Sequence, residues 1–201
     1  MGEGRVKPLG VLLAGGLATR MGGGDKGLVR LAGEPLLAHI VRRVRPQVAA
    51  LALNANGDPA RFAEFGLPVL ADTVPGHPGP LAGVLAGMIW TKAQGARQVF
   101  TVPTDAPFLP RDLVARLAAA AAPVAVATSG DWTHPTVALW SVELAATLES
   151  ALRAGTRKVM DFQAAHGAVA VDWPMQPYDP FFNVNTPAEV AAAEAMLSSV
   201  R

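Results

Sequence analysis

Leu12-Leu13-Ala14-Gly15-Gly16-Leu17-Ala18-Thr19-Arg20-Met21-Gly22-Gly23-Gly24-Asp25-Lys26-Gly27 is the stretch from which the fold is read. The apolar run Val11–Ala14 ends in two glycines, as a buried parallel strand does when it leaves a sheet. An arginine, three more glycines and a lysine follow. Glycines let the backbone approach a phosphate and turn N–H groups toward it, while Arg20 and Lys26 bring positive charge. In open parallel sheets ligands bind beyond the carboxyl ends of the strands, where this loop begins. The competing reading is a surface loop whose glycines only turn the chain.

Two standard phosphate motifs are excluded. A P-loop needs Ser or Thr directly after its lysine, and Gly27 stands there. Gly22-x-Gly24-x-x-Gly27 matches the dinucleotide fingerprint in form, but it does not directly follow a strand. No acidic residue stands about 20 positions on to take a ribose.

Outward from the loop, strand-like and helix-like segments alternate. Helical spacing of Leu36, Leu37, Ile40, Val41 and Val44 predicts a helix over 35–44, with Arg42, Arg43 and Arg45 facing away. Strands are expected at 48–53, before the turn Asn54-Ala55-Asn56-Gly57, and at 69–71, before Asp72, with a short helix at 59–65 between them. Helices opened by proline are expected at 80–93 and 110–121, and strands at 99–102 and 124–127. The second half is less regular. Strands are expected at 136–140 and 168–171, helices at 142–153 and 158–165, and an extended apolar run at 181–184. Thr186-Pro187-Ala188-Glu189 is a helix start, with a threonine cap, proline at the first position and glutamate three residues after the cap. The alternation implies an α/β fold, a mostly parallel sheet with helices on both faces. No repeat or linker interrupts it, so residues 1–201 are read as one domain.

Composition narrows the class. The chain has 201 residues, 51% of them hydrophobic and 16% charged, enough for a core without staples. Net charge is +1, against a nucleic-acid binder that works through a basic surface. The absence of cysteine removes disulfides, thiolate zinc sites, iron–sulfur clusters and cysteine nucleophiles. The start resembles a signal peptide only superficially, since its apolar run is broken by Gly15 and Gly16. The 19 residues between Asp72 and Lys92 carry no formal charge, but Pro75, Pro78 and Pro80 break that stretch before it could span a bilayer. These features give the expectation of a soluble, cytoplasmic protein.

Leu-Ala-Gly-Gly, then Arg20-Met21-Gly22 and Asp25-Lys26, resembles the sugar-nucleotide and cofactor nucleotidyltransferases. Within them the chain is most similar to the molybdenum cofactor guanylyltransferases. Asn54-Ala55-Asn56, Gly79-Pro80-Leu81-Ala82-Gly83, Thr104-Asp105-Ala106-Pro107, His134-Pro135-Thr136, Arg157-Lys158-Val159-Met160 and Asn183-Val184-Asn185-Thr186-Pro187 carry the likeness in order and spacing. The resemblance implies a Rossmann-like three-layer fold of the nucleotide-diphospho-sugar transferase type. It also implies transfer of GMP from GTP to molybdopterin with release of pyrophosphate, and Mg²⁺ as cofactor. Molybdoenzyme apoproteins and other cofactor-biosynthesis proteins would be further partners, with neither nucleic acid nor membrane.

By this resemblance Leu13, Ala14 and Gly15 line the nucleotide through their backbone, and Asn54 and Asp72 are further nucleotide contacts. Arg20, Lys26 and Asp105 form the catalytic group, with Asp105 as the metal ligand. His134, Pro135, Thr136, Arg157, Lys158, Asn183 and Asn185 would meet the pterin. The residue types suit these roles. A strand-end carboxylate holds a hard cation, lysine acts as a point charge and arginine as a planar fork. Other readings stay open. Asp105 could cap the following helix, Asn54 could be a turn residue, and Arg20 a solvated charge. Arg157-Lys158 could be a solvated helix start, and Asn-Thr-Pro ordinary capping chemistry. His39, in an amphipathic helix, reads as structural. A cytidylyltransferase on the same pterin and a non-catalytic cofactor-delivery domain are the competing functions.

Overall fold

The computed structural model describes residues 7–15, 23–76 and 79–199. Arg20, expected among the catalytic group, and Gly16 lie outside them.

Strand β1 (Leu9–Leu13) has every residue buried. A two-residue turn at Ala32-Gly33, both at positive φ, then joins the short β2 (Arg30–Leu31) and β3 (Glu34–Pro35). Helix α1 (Leu36–Val44) buries Leu36, Leu37, Ile40 and Val44, the stripe its spacing predicts. Strand β4 (Leu51–Asn54), a 3₁₀ segment at Pro59–Phe65 and β5 (Val69–Leu70) follow. Next come α2 (Pro80–Ala93) and β6 (Gln98–Pro103). Helix α3 (Leu113–Ala119) is shorter than the proline-opened helix expected over 110–121, because the chain still turns through 111–112. The rest is β7 (Val124–Ser129), β8 (Trp132–Ser141), α4 (Ala145–Arg153), α5 (Val159–Ala165), β9 (Ala168–Trp173) and α6 (Pro187–Ser199). The apolar run 181–184 joins no strand; it packs Phe181 and Val184 into the core from an irregular segment.

The main sheet has seven strands in the order β5-β4-β1-β6-β8-β7-β9. All neighbours pair in parallel except at β8, which runs antiparallel to both β6 and β7. Alternate residues of β1 enter opposite cores. Leu12 joins Leu37, Ile40 and Leu117 beneath α1 and α3, while Val11 and Leu13 join Leu81, Leu85, Leu148 and Phe162 beneath α2, α4 and α5. The result is three layers with helices on both faces. A smaller cluster of Leu31, Leu36, Phe108, Val184 and Ala193 holds α6 against the hairpin, and Glu194 accepts the Ala32 amide N–H at 3.0 Å. Among the described residues no helix is long and apolar enough to cross a membrane.

Strand β8 carries a local irregularity. Val126 pairs with Ala138, but the next residue, Ala127, pairs with His134, so Pro135, Thr136 and Val137 have no opposite residue. Buried side chains hold the bulge from two sides. Thr101 accepts from Trp140 Nε1 at 2.8 Å and donates to the Thr136 carbonyl at 2.9 Å. Gln163 of α5 donates to the Pro135 carbonyl at 2.8 Å.

Candidate active site

The carboxyl ends of β1, β4 and β6 open onto a cavity of about 280 Å³. Leu13 and Gly15 form its floor, Lys26, Thr104 and Asp105 one wall, and Asn54, Asn56 and Asp72 another. Thr136 reaches into it from the β8 bulge. Ala14 is buried beneath, its N–H donated to the Asn54 carbonyl at 2.8 Å. Most of the residues expected at the nucleotide thus stand around one cavity.

Lys26 donates to Asp105 Oδ2 at 3.1 Å and also to the side-chain oxygen of Asn185. Gly27 makes this reach possible. A Cβ there would stand 3.3 Å from Thr104 Cβ and 3.4 Å from Leu37 Cβ, so the loop lies close against the end of β6. Asp105 follows β6 without capping a helix, since α3 begins at Leu113 behind Asp112. Its backbone carbonyl accepts from Val184 N–H at 2.8 Å. Its Oδ1 is buried and has no hydrogen-bond partner among the described residues. A buried carboxylate oxygen left this way is an unusual and costly arrangement, and it suits a hard cation that prefers oxygen ligands.

Asn185 enters this group from the far end of the chain, 159 residues from Lys26. The helix start beside it is satisfied by others. Thr186 Oγ1 accepts from Glu189 N–H at 3.3 Å, and Glu189 Oε2 accepts from Asn185 N–H at 2.7 Å. The Asn185 side chain is therefore not the cap, and it faces Lys26.

On the other wall Asn54, buried at the end of β4, donates to Asp72 Oδ1 at 2.9 Å and to the Leu70 carbonyl at 3.1 Å. Asn56 donates to Asp72 Oδ2 at 2.8 Å and accepts from Asp72 N–H at 2.9 Å. Both oxygens of Asp72 are thus held. Gly83 of α2 makes room for Asn54, since a Cβ there would lie 2.1 Å from Asn54 Oδ1.

The residues expected at the pterin lie on β8, on the turn between α4 and α5, and on the segment before α6. Thr136 is in the cavity and Asn185 is on Lys26. Arg157 donates to the Leu152 and Thr156 carbonyls at the end of α4. Lys158 and Asn183 are exposed. His134 is held by Ser129, 2.8 Å from its Nε2, and packs on Phe181. His39, read as structural, bonds the Leu31 carbonyl at 3.0 Å.

Several positioning contacts were not read from the sequence. Arg61 donates to Asp25 Oδ2 at 2.7 Å and to the Asn56 and Asp58 carbonyls, each at 2.6 Å. Asp25 belongs to the glycine-loop motif and Asn56 to the Asn54-Ala55-Asn56 motif, so their presence was visible; no local pattern marks Arg61, Thr101 or Gln163.

The MobA-like NTP transferase domain model matches residues 10–169. A chain from Rhodopseudomonas palustris (strain BisB5), named molybdenum cofactor guanylyltransferase, is 56% identical over 191 residues, 92% of this chain and 91% of its own length. Another of that name, from Mesorhizobium japonicum, is 48% identical over 200 residues, covering 95% of this chain and 96% of its own. The solved structure of molybdopterin-guanine dinucleotide biosynthesis protein A from Archaeoglobus fulgidus superposes with a TM-score of 0.73 at 21% identity, over 95% of this chain and 99% of that one. CMP:2-keto-3-deoxy-manno-octonic acid synthetase complexed with CTP gives 0.74 at 15% identity, over 97% and 100%. At such identities these two structures speak to the fold, which they share with the sheet and layers described above. The family match over residues 10–169, with relatives at half identity along nearly the whole chain, makes this chain a member of the MobA-like NTP transferase domain family.

Proposed function

We propose that the chain transfers GMP from GTP to molybdopterin, releasing pyrophosphate, as the names of its relatives suggest. The observation that carries the reading is the meeting of Lys26, Asp105 and Asn185 at the open end of β6, with no partner for Asp105 Oδ1 among the described residues. In this reading the chain is one nucleotidyltransferase domain that works in the cytoplasm. The nucleotide occupies the cavity between the Asn54–Asp72 wall and the Lys26–Asp105 wall.

The attacking group is the terminal phosphate of molybdopterin, whose second pKa lies near ~6, so it is largely ionised at neutral pH. No protein base is needed. A phosphate oxygen bonds to the α-phosphorus of GTP while the bond to the β-phosphate oxygen breaks, and pyrophosphate leaves. The chain's work is alignment and charge. Lys26 has three N–H donors, two of them engaged by Asp105 and Asn185, which leaves one for a phosphate oxygen. Asp105, with the Asn185 amide oxygen alongside, would hold Mg²⁺. That ion would screen the repulsion between the two phosphates and the charge on the departing pyrophosphate. Among the described residues nothing stands within 4 Å of a Cβ built at Gly15, which suits close backbone approach to the nucleotide.

Pyrophosphate release from protein, Mg²⁺ and molybdopterin, compared among GTP, CTP and ATP, tests the reading. Release with GTP and not with CTP or ATP is expected. Release with CTP alone makes the chain a cytidylyltransferase, and none with any nucleotide leaves a binding or delivery domain.

A further inference from the structure

His134, Ser129 and Asp179 form a chain of hydrogen bonds outside the phosphate cavity. Ser129 Oγ stands 2.8 Å from His134 Nε2 and donates to Asp179 Oδ1 at 2.9 Å. The same Oδ1 accepts from Phe181 N–H at 2.9 Å. Three such side chains invite comparison with a nucleophilic triad, but the order is wrong. The serine is fully buried in the middle of the chain, and its hydroxyl proton is directed to the carboxylate.

Proton counting then decides the histidine. An ionised carboxylate only accepts, and a serine has one proton to donate. With that proton directed to Asp179 Oδ1, Ser129 Oγ must accept from His134, so His134 carries hydrogen on Nε2. Burial also pushes His134 below the ordinary histidine range, against a smaller upward pull from Asp179, which favours the neutral ring. A neutral ring with hydrogen on Nε2 has a bare lone pair on Nδ1. Packing fixes the ring plane: Phe181 lies 4.6 Å from it between centroids, and Trp173 meets Phe181 edge-on at 5.5 Å. His134 is half-buried and its Nε2 is engaged by buried Ser129, which leaves Nδ1 the ring nitrogen still able to meet a ligand.

The segment that anchors this histidine also reaches the phosphate site. Asp179 and Phe181 hold His134, and a few residues on Val184 binds Asp105 and Asn185 binds Lys26. We infer that Ser129 and Asp179 are positioning residues that lock His134 as a hydrogen-bond acceptor at Nδ1, aimed at an N–H donor on the second substrate. This deepens the proposed function and rests on it for the identity of that substrate. A pterin carries such donors on its amino group and ring nitrogens. The side chain thereby selects a donor edge and rejects a ring presenting an acceptor there.

The test has two readouts. In the free protein labelled with ¹⁵N-histidine, the His134 signal, assigned by its loss in His134→Asn, should have hydrogen on Nε2, protected from exchange, and a bare Nδ1. Ser129→Ala should lose that protection. Asp179→Asn should keep it, because the Phe181 N–H holds an amide oxygen where the carboxylate oxygen was; Asp179→Leu should not. Hydrogen on Nδ1 in the native chain, or protection surviving both Ser129→Ala and Asp179→Leu, overturns the inference. Loss in Asp179→Asn would also overturn it, since charge rather than the hydrogen-bond chain would then hold the ring. If Ser129→Ala does not fold, the two Asp179 variants decide. In steady state, Ser129→Ala should raise KM for molybdopterin about tenfold while KM for GTP holds. Equal changes in both KM values would make the network merely structural. Should molybdopterin prove not to be the substrate at all, the tautomer result stands alone, so the two failures are told apart.

Discussion

Arg61 donates through Nε to Asp25 Oδ2 at 2.7 Å, tying the end of the glycine loop to the segment after β4. Asp25 stands directly before Lys26, and the other two nitrogens of the Arg61 guanidinium donate to the Asn56 and Asp58 carbonyls. One guanidinium thereby spans the two walls of the cavity, the Lys26 side and the Asn54–Asp72 side. The side chains are 30% and 15% exposed, so the pair is only partly screened by solvent.

Arg61→Gln should therefore loosen both walls together. We expect about 1 kcal/mol of lost stability, the scale of a partly buried charged contact. The KM for GTP should rise several-fold with a smaller change in kcat, because the groups affected position the nucleotide. Thermal unfolding and GTP saturation curves check this, and unchanged KM would confine the pair to a structural role.

Gly83→Ala is expected to be harmful although alanine is the better helix former. The new Cβ would fall 2.1 Å from Asn54 Oδ1 and 2.9 Å from Leu13 Cδ2. Asn54 must move, and its hold on Asp72 goes with it. Overpacking of this kind costs about 1–3 kcal/mol, more than the ~1 kcal/mol of helix propensity gained. Lower Tm together with weaker GTP binding in calorimetry is the expected pair of results; a stabilised protein with native affinity would show that the helix can shift to make room.

Asp105→Asn keeps the shape and removes the charge. Metal stabilisation of phosphoryl transfer is worth several kcal/mol, so a loss on the order of a hundredfold or more in rate is expected. Stability should stay near native, since the weaker bond to Lys26 is offset by removing charge from an oxygen that has no partner among the described residues. Pyrophosphate release across a Mg²⁺ titration measures it. Native rates at ordinary Mg²⁺ would remove Asp105 from the metal role.

Acid should weaken the fold through His134. Burial, the largest influence, lowers its pKa, and Asp179 opposes this in part. The unfolded chain then takes up a proton at higher pH than the folded one. Stability from this group is present above the ordinary histidine value near ~6.5 and is lost as pH falls through it toward the lower folded value. Tm followed from about pH 8 to pH 5 should fall less steeply in His134→Asn than in the native chain. Parallel curves would mean that the histidine protonates alike in both states.

Much of the architecture was legible because it is written in local patterns. The alternation of apolar runs, the stripe Leu36, Leu37, Ile40 and Val44, and the proline that opens α2 are statements about neighbours in sequence. The helix expected over 110–121 proved shorter, Leu113–Ala119, for the same reason, since a proline also serves the turn that precedes Leu113. The hairpin Arg30–Pro35 left little trace, because two-residue strands are too short for a period to show.

What the sequence by itself determined was the set of strand ends and the residues able to meet phosphate there: Lys26 after its glycines, Asp105 after β6 and Asn54 at the end of β4. Apolar periodicity and glycine placement act over a few residues, so they can be read without knowing the partners. Only the tertiary structure decided which of these side chains meet. It inserted β8 antiparallel between β6 and β7, and the bulge that follows from that register turned Thr136 into the cavity. It brought Asn185 to Lys26 across 159 residues, Arg61 to Asp25 across 36, and Asp179 to Ser129 across 50. The physical reason is that a hydrogen bond depends on distance in space. For residues so far apart in sequence that distance is set by how sheet, helices and loops pack together, and no local pattern encodes it.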